Sequence, residues 1–215
     1  MLAKLLETLK LTENACRVCK EPFSPSSQGF VCEGCLQGIK PAYPIEYNAL
    51  DYISSYRVFA LYEEPLSEVI RLVKFRSILP LAHELGSHLS EHLGEYIEEI
   101  SPDIITYIPV HLFRFWRRGF DHNREILKGA GIHTVEVLMR LKHSKPLASL
   151  SKEKRFSVVK DAFRVRKAWI DEVEGKRILV FDDILTTGAT STSVARALLS
   201  LGAEEVFFYF VAREV

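Results

Sequence analysis

The sequence has no apolar run long enough to cross a bilayer, and it has no net charge. Its longest apolar stretches, such as Phe207 to Ala212, fall far short of the roughly 18 to 20 residues that a membrane-spanning helix needs. Lys4, Glu7 and Lys10 interrupt the leucines near the N-terminus, which does not fit the hydrophobic segment of a signal peptide. The sequence therefore predicts a cytoplasmic protein that is at most peripheral at the membrane.

The cancellation of 28 basic by 28 acidic residues argues against a protein that coats polyanions over its whole surface. The charges are unevenly distributed, however. Residues 111–177 hold 17 Lys and Arg against 8 Asp and Glu. No Lys or Arg occurs between Ser77 and Phe113, and the glutamates of that segment are expected to form a solvated helix face. The basic middle of the chain is the predicted location of an anionic ligand.

Internal repeats and low-complexity tracts are absent, and a hydrophobic fraction of 47% excludes wholesale disorder. A length of 215 residues allows one α/β domain with a small appendage. Prolines, glycines and cysteines crowd the first part of the chain, after an amphipathic helix around Leu2 to Leu9. We therefore predict a small module over residues 1–45 and an α/β domain over residues 46–215.

Only four cysteines occur, in two Cys-x2-Cys pairs formed by Cys16 with Cys19 and by Cys32 with Cys35. Two such pairs, twelve residues apart, can place four thiolates around one Zn²⁺ in a closed structural site. A reducing compartment makes metal binding a better explanation than disulfides. Iron–sulfur ligation and four unrelated buried cysteines are the alternatives, and the spacing favours zinc in a structural or partner-binding role.

The C-terminal third has the pattern of a β–α–β unit. It predicts a strand, a turn, a helix and a second strand, over residues 177–182, 183–190, 192–201 and 206–212. Upstream, residues 103–110 predict a strand that is apolar on both faces, as in parallel sheets, and residues 65–100 predict helix with a break near Pro80. The chain is therefore expected to form an α/β fold with a parallel sheet flanked by helices.

Two adjacent acids, Asp182 and Asp183, stand at the carboxyl edge of the predicted strand, where α/β folds bind ligands. The small polar residues that follow can surround a phosphate with N–H groups, hydroxyls and a helix N-terminus. Acids beside a phosphate site suit a ligand that also presents hydroxyls. A ribose 5-phosphate does so, and the acids would accept from its 2′- and 3′-hydroxyls. The residues predicted around the phosphate are Thr186, Thr187, Gly188, Ala189 and Thr190.

This segment is similar to the signature with which type I phosphoribosyltransferases bind phosphoribosyl pyrophosphate (PRPP). The whole chain resembles the ComF family of phosphoribosyltransferase-like proteins, which is associated with DNA uptake in natural competence. The resemblance implies a type I phosphoribosyltransferase-like sheet behind a zinc ribbon, with Mg²⁺ accompanying PRPP. It rests on motifs in matching order: the cysteine pairs, Leu72–Arg76, Asp103–Val110, Arg117–Phe120, Arg155, Ala162–Phe163 and the acid turn.

The resemblance also implies which residues meet the pyrophosphate. The segment after the strand at 103–110 would face it, and a mobile loop over residues 142–162 would close over the reacting centre. Electrostatic stabilisation of the leaving group would then be the main source of catalysis. The implied residues are Val110 and His111 for binding, and Arg117, Arg118, Lys154 and Arg155 for catalysis.

The chain departs from the family pattern near this site. It has Asp121 and His122 where Asn and Gln are usual, His111 where a Pro is expected, and Leu147 and Val158 where Gln and Asn are common. These changes remove polar groups from the acceptor side, so two hypotheses stay open. One is a Mg²⁺-dependent phosphoribosyltransferase with an unknown acceptor. The other is a non-catalytic module that senses PRPP or a nucleotide and engages single-stranded DNA or a DNA-uptake helicase.

Aromatic residues are interleaved with the arginines of the basic middle. Phe113, Phe115, Trp116 and Phe120 can grip a single strand together with the arginines, or they can fill the core. A homodimer is a further expectation, because dimers are common among proteins of the resembling fold.

Overall fold

The computed structural model describes residues 15–22, 29–42, 50–140 and 163–214. The described strands are β1 (Ser55–Leu61), β2 (Ile104–Tyr107), β3 (Leu138–Arg140), β4 (Phe163–Val165), β5 (Arg177–Leu185) and β6 (Glu205–Arg213). Four of them form a parallel sheet in the order β1, β6, β5, β2. The remaining two, β3 and β4, pair antiparallel in a small second sheet.

Helices cover both faces of the parallel sheet. The described helices are α1 (Glu33–Gln37), α2 (Leu66–Arg76), α3 (Leu79–Ile100), α4 (Leu112–Arg118), α5 (His122–Gly129) and α6 (Ala189–Leu199). One face packs on α2, α3 and α5, and the other packs on α6 and the β3–β4 pair. Because β5 and β6 are covered on both sides, apolar residues occupy both faces of each strand. The predicted parallel sheet flanked by helices is therefore confirmed.

Of the helices within the described residues, none combines the length and the apolar character needed to span a bilayer. The predicted N-terminal helix around Leu2 to Leu9 and the predicted loop over residues 142–162 lie outside the described residues.

Element boundaries differ from the prediction where tertiary contacts decide them. β5 runs on to Leu185 because Ile184 and Leu185 still pair with β6. The helical break lies at Ser77, which has a positive φ of 56°. Pro80, where the break was predicted, fits into the first turn of α3 because the N–H groups there have no partner within the helix.

The cysteine module packs directly on the α/β domain. Cys16, Val31 and Ile39 are buried in the same cluster as the inner faces of α2 and α3. Glu84 of α3 faces the module instead of solvent, since its carboxylate accepts from the backbone N–H of Phe30 at 2.7 Å and from that of Val31 at 3.2 Å. The expectation of a solvated glutamate face is therefore wrong for Glu84. The domain boundary near residue 45 stays a prediction.

Two glycines let α3 and α5 touch backbone to backbone. A Cβ on Gly86 would stand 2.0 Å from the carbonyl oxygen of Ile126, and a Cβ on Gly129 would stand 2.3 Å from that of His83. Distances this short leave room for a hydrogen atom only. This close contact sets the N-terminus of α5, which begins at His122, against the carboxyl end of β5.

Candidate functional site

The four cysteine sulfurs converge on one point. All of them lie within 4.8 Å of one another, with 3.8 Å between the sulfurs of Cys16 and Cys35 and 3.6 Å between those of Cys19 and Cys32. Four sulfurs held tetrahedrally at about 2.3 Å from a Zn²⁺ stand about 3.8 Å apart. The described cysteines therefore fit a metal such as zinc, whose tetrahedral shell they would complete.

Backbone N–H groups stabilise the thiolate form of Cys16, which is the form that binds a metal. The N–H groups of Val18 and Cys32 donate to its sulfur at 3.4 and 3.3 Å. Burial raises the pKa of the Cys16 thiol, but the N–H groups outweigh burial and lower the pKa to about 6. A thiol that ionises readily suits metal binding, because the ligand is the thiolate.

The acid turn lines a small, open pocket at the carboxyl end of β5. Its lining comprises Asp182, Ile184 and Leu185 of β5 and the residues from Thr186 to Ser191. Gly188 starts α6 with a φ of 72°, a left-handed conformation that glycine adopts without strain. In the described residues no side chain caps this helix, so its first N–H groups are available to an anion.

Asp183 is bound from the other face of the sheet and does not line this pocket. Lys74 Nζ of α2 lies 2.6 Å from Asp183 Oδ2, and His122 Nε2 of α5 contacts the same oxygen. Burial alone would raise the pKa of Asp183, but the charge of Lys74 and the hydrogen bond from His122 hold it well below its usual range. Asp183 is therefore ionised at neutral pH.

Asp182 has a different environment from its neighbour. Its Oδ1 accepts from the backbone N–H of Asp183 at 3.0 Å and from Asn123 Nδ2 at 3.1 Å. Burial, together with the negative charge of Asp183, raises the pKa of Asp182 to about 7. At neutral pH the two adjacent acids therefore carry fewer than two negative charges.

The N-terminus of α5 is tied to the segment that follows β2. Asp121 caps α5 by accepting from the backbone N–H of Asn123 at 3.0 Å. Its second oxygen accepts from the backbone N–H of Val110 at 2.7 Å, and Asn123 Nδ2 donates to the carbonyl oxygen of Ile108 at 2.9 Å. The N–H of Val110, which the resemblance places at a pyrophosphate, is therefore already used within the protein.

The two ends of α4 are held by residues that the resemblance places near the pyrophosphate. His111 Nδ1 accepts from the backbone N–H of Phe113 at 3.1 Å and so caps the helix. Arg118 turns inward, where Nε donates to the carbonyl oxygen of Lys74 at 2.8 Å and Nη1 donates to His122 Nδ1 at 2.6 Å. The side chain of Arg118 therefore links α4 to α2 and α5, whereas the side chain of Arg117 is exposed to solvent.

The same short helix exposes large apolar side chains. Trp116 is 82% exposed, and Leu112, Phe113 and Phe115 are also exposed. Phe120, by contrast, packs against the core. Of the two interpretations of these aromatics, core filling therefore holds for Phe120 and not for the residues of α4.

The structure brings Asp182, Thr186, Thr187, Gly188, Ala189 and Thr190 into one pocket, and their binding roles stay predictions. Lys154 and Arg155 lie outside the described residues. Sequence reasoning assigned no role to Lys74, although its place four residues after Ile70, which is buried, puts it on the inner face of α2.

Arg140 of β3 was also missed. Burial and the charge of Arg114 lower its pKa, whereas the charge of Asp182 opposes that change. Arg140 therefore contributes positive potential at Asp182, and Arg114 lies close enough to Arg140 to act on it. In the sequence, only the surplus of basic residues over 111–177 pointed to them.

Comparison with known proteins gives relatives along most of the chain. It is 28% identical to competence protein F of Haemophilus influenzae over 160 residues, which are 71% of this chain and 69% of that protein. It is 28% identical to the DNA utilization protein YhgH of Escherichia coli over 164 residues, with the same two shares. It is 27% identical to competence protein ComFC of Streptococcus pneumoniae over 159 residues, 74% of this chain and 68% of that one. No family model matches.

Two solved structures align with about three fifths of this chain. Glutamine PRPP amidotransferase from B. subtilis has a TM-score of 0.38 and 21% identity, over 60% of this chain and 25% of that chain. Purine phosphoribosyltransferase from Pyrococcus horikoshii has a TM-score of 0.35 and 19% identity, over 61% of this chain and 87% of that chain. The sequence relatives of this chain are ComF-type competence and DNA utilization proteins, which confirms the resemblance that its motifs indicated.

Proposed function

We propose that the protein binds PRPP, or a related ribose phosphate, and acts in DNA uptake as a phosphoribosyltransferase-like protein of the ComF type. The observation that carries this proposal is the pocket at the end of β5, where the open N-terminus of α6 and a threonine-rich turn stand beside Asp182. A phosphate requires N–H and hydroxyl donors, and ribose hydroxyls require an acceptor. The pocket offers both.

Positive charge near the pocket supports an anionic ligand. Arg140 and Arg114 act electrostatically on each other, and Arg140 acts on Asp182. The positive charge of Lys74, 2.6 Å from Asp183 Oδ2, offsets the negative charge of the acidic pair. A pyrophosphate would otherwise be repelled by two adjacent carboxylates.

The acidic pair does not fit a magnesium site built by the protein. Lys74 and His122 occupy Oδ2 of Asp183, and the pKa of Asp182 is raised to about 7, whereas Mg²⁺ prefers several ionised or neutral oxygen ligands that are free to coordinate. In this proposal Mg²⁺ is a companion that PRPP brings to the site on its pyrophosphate.

A phosphoribosyl transfer would break the bond from C1 of the ribose to pyrophosphate and form a bond from C1 to a nitrogen of the acceptor, which loses a proton to solvent. The turn would hold the 5-phosphate, and Asp182 would orient the sugar through its hydroxyls. Arg117, Lys154 and Arg155 are the proposed partners of the departing pyrophosphate.

We expect PRPP to raise the melting temperature of the wild-type protein and to bind about tenfold more weakly to Asp182→Asn. Asparagine keeps the acceptor for Asn123 but loses the second carboxylate oxygen for a ribose hydroxyl. Asp171→Asn is the matched control, because Asp171 is exposed away from the pocket. Thermal shift measures binding, and pyrophosphate release with candidate acceptors measures transfer. A wild-type protein that PRPP does not stabilise would contradict the proposal.

A second candidate function is binding of single-stranded DNA by α4. Its support is the exposure of Phe113, Phe115 and Trp116 beside Arg114 and Arg117, since bases stack on aromatic rings and arginines contact phosphates. A DNA-uptake helicase and a second copy of this chain are further proposed partners.

Trp116→Ala and Arg117→Ala should each weaken binding of an oligothymidine about threefold to tenfold. Only the arginine variant should show a reduced salt dependence, because it alone removes a phosphate contact. Lys176→Ala is the control, since Lys176 is exposed at the amino end of β5, at the opposite edge of the sheet. Fluorescence anisotropy at several salt concentrations provides the measurement. Equal affinities for all four proteins would exclude α4 as the DNA site.

A further inference from the structure

His122 is a buried histidine with a charged partner at each ring nitrogen. The residue is only 6% exposed. Arg118 Nη1 lies 2.6 Å from Nδ1, and Asp183 Oδ2 contacts Nε2. A guanidinium can only donate hydrogen bonds, and a carboxylate can only accept them. Nδ1 must therefore accept and Nε2 must carry the proton, which fixes a neutral imidazole in one tautomer.

Charged groups from the elements around the ring act on its protonation in opposite directions, and burial decides for the neutral state. Lys74 of α2 and Arg118 of α4 are positive, whereas Asp183 of β5 and Asp121, whose Oδ1 lies 3.9 Å from Nδ1, are negative. A second proton on Nδ1 would remove the acceptor of Arg118 and place two cations side by side. Burial lowers the pKa of His122, Asp183 opposes that change, and Lys74 adds to it.

We propose that His122 is a positioning residue for the acidic pair: it holds Asp183 toward Lys74, so that Asp182 alone faces the ligand. Asp182 lines the pocket, whereas Asp183 does not. The sequence predicted that both acids bind the ribose hydroxyls. In the structure Asp183 is instead a buried charge bound to Lys74 and His122, and only Asp182 is left to bind a hydroxyl. His122 would act on the ribose phosphate proposed above, so this inference rests on the proposed function.

Glutamine reproduces the hydrogen bonds of this histidine. Its carbonyl oxygen can accept from Arg118 and its NH2 group can donate to Asp183, as the two ring nitrogens do, and the amide cannot gain a proton near neutral pH. Leucine fills a similar space and offers neither group. The departure of His122 from the family pattern therefore preserves the hydrogen bonds at this position instead of removing them.

The first test compares the binding of ribose 5-phosphate to the wild type, His122→Gln and His122→Leu by calorimetry at neutral pH. We expect His122→Gln to bind within about threefold of the wild type and His122→Leu to bind at least about tenfold more weakly. His133→Leu is the control, because His133 is exposed. Equal losses in the glutamine and leucine variants, or no loss in either, would overturn the assignment.

Two measurements on the folded protein need no ligand, so they separate a failure of His122 from a failure of the proposed function. Nitrogen-15 NMR of the wild type should show the Nε2–H tautomer at neutral pH. The stability of the wild type should fall relative to His122→Gln as the pH drops through about 6.5, because the histidine of the unfolded chain then gains a proton that the buried ring resists. An imidazolium or an Nδ1–H tautomer would overturn the inference, and so would an identical pH dependence of the two proteins. If the wild type does not bind ribose 5-phosphate, the proposed function fails, while these measurements still decide the state of His122.

Discussion

Replacing Lys74 with methionine should lower the free energy of unfolding by about 3 kcal/mol. Methionine retains most of the apolar volume of lysine, so the loss of unfolding free energy can be assigned to the missing positive charge. Lys74 Nζ lies 2.6 Å from Asp183 Oδ2, and the side chains are only 19% and 9% exposed. Without Lys74, Asp183 must keep a buried charge with His122 as its partner or take up a proton, and both cost stability.

Lys40 provides a matched control for this substitution. Its Nζ also lies 2.6 Å from a carboxylate oxygen, that of Glu63, but these side chains are 65% and 46% exposed. Because solvent screens an exposed pair, Lys40→Met should cost less than about 1 kcal/mol. Urea unfolding at neutral pH compares the two variants, and equal costs would contradict the role of Lys74 as the buried partner of Asp183.

Chelation of the metal that we predict in the cysteine module should destabilise the protein more than Lys74→Met does. We expect chelation of purified protein to release about one zinc per chain and to lower the melting temperature by about 10 °C, which corresponds to about 4 kcal/mol. The reason is that the module and the α/β domain share one core, in which Cys16 and Val31 pack with α2 and α3. Loss of the metal would therefore loosen more than the module itself.

The variant Cys19→Ser separates the effect of losing a metal ligand from the effect of losing packing contacts. Cys19 is exposed, so replacing its sulfur leaves no cavity, and any large loss of stability reports a lost ligand. We expect this variant to bind zinc more weakly and to melt close to the chelated wild type. Four freely titrating thiols in the native, untreated protein, together with no metal by elemental analysis, would exclude the site.

Short motifs of neighbouring residues predicted their own local structure correctly. The two Cys-x2-Cys pairs predicted the cluster because short spacings confine four sulfurs to one place. The apolar run before Asp182 predicted a buried parallel strand because both of its faces must be covered. The small polar turn after the acids predicted a phosphate site because glycine and threonine are the residues such a turn requires.

The rest depended on elements that meet only in the folded chain. Whether Asp183 faces a ligand or Lys74 is decided by how α2 crosses β5, and no local pattern reports that crossing. Trp116 and Arg118 lie two residues apart, on opposite sides of one helix. The structure shows that Arg118 is on the inward side and that Trp116 is 82% exposed. The inward side chain was identifiable only once α5 had placed His122 beside it.

The most direct test of the central claim is a crystal structure of the protein with bound ribose 5-phosphate. The phosphate is expected on the N–H groups and hydroxyls of the turn from Thr186 to Thr190, with a ribose hydroxyl on Asp182 and with Asp183 still bound to Lys74 and His122. A phosphate bound elsewhere on the chain, or a pocket that stays empty at saturating ligand, would contradict the assignment of this turn.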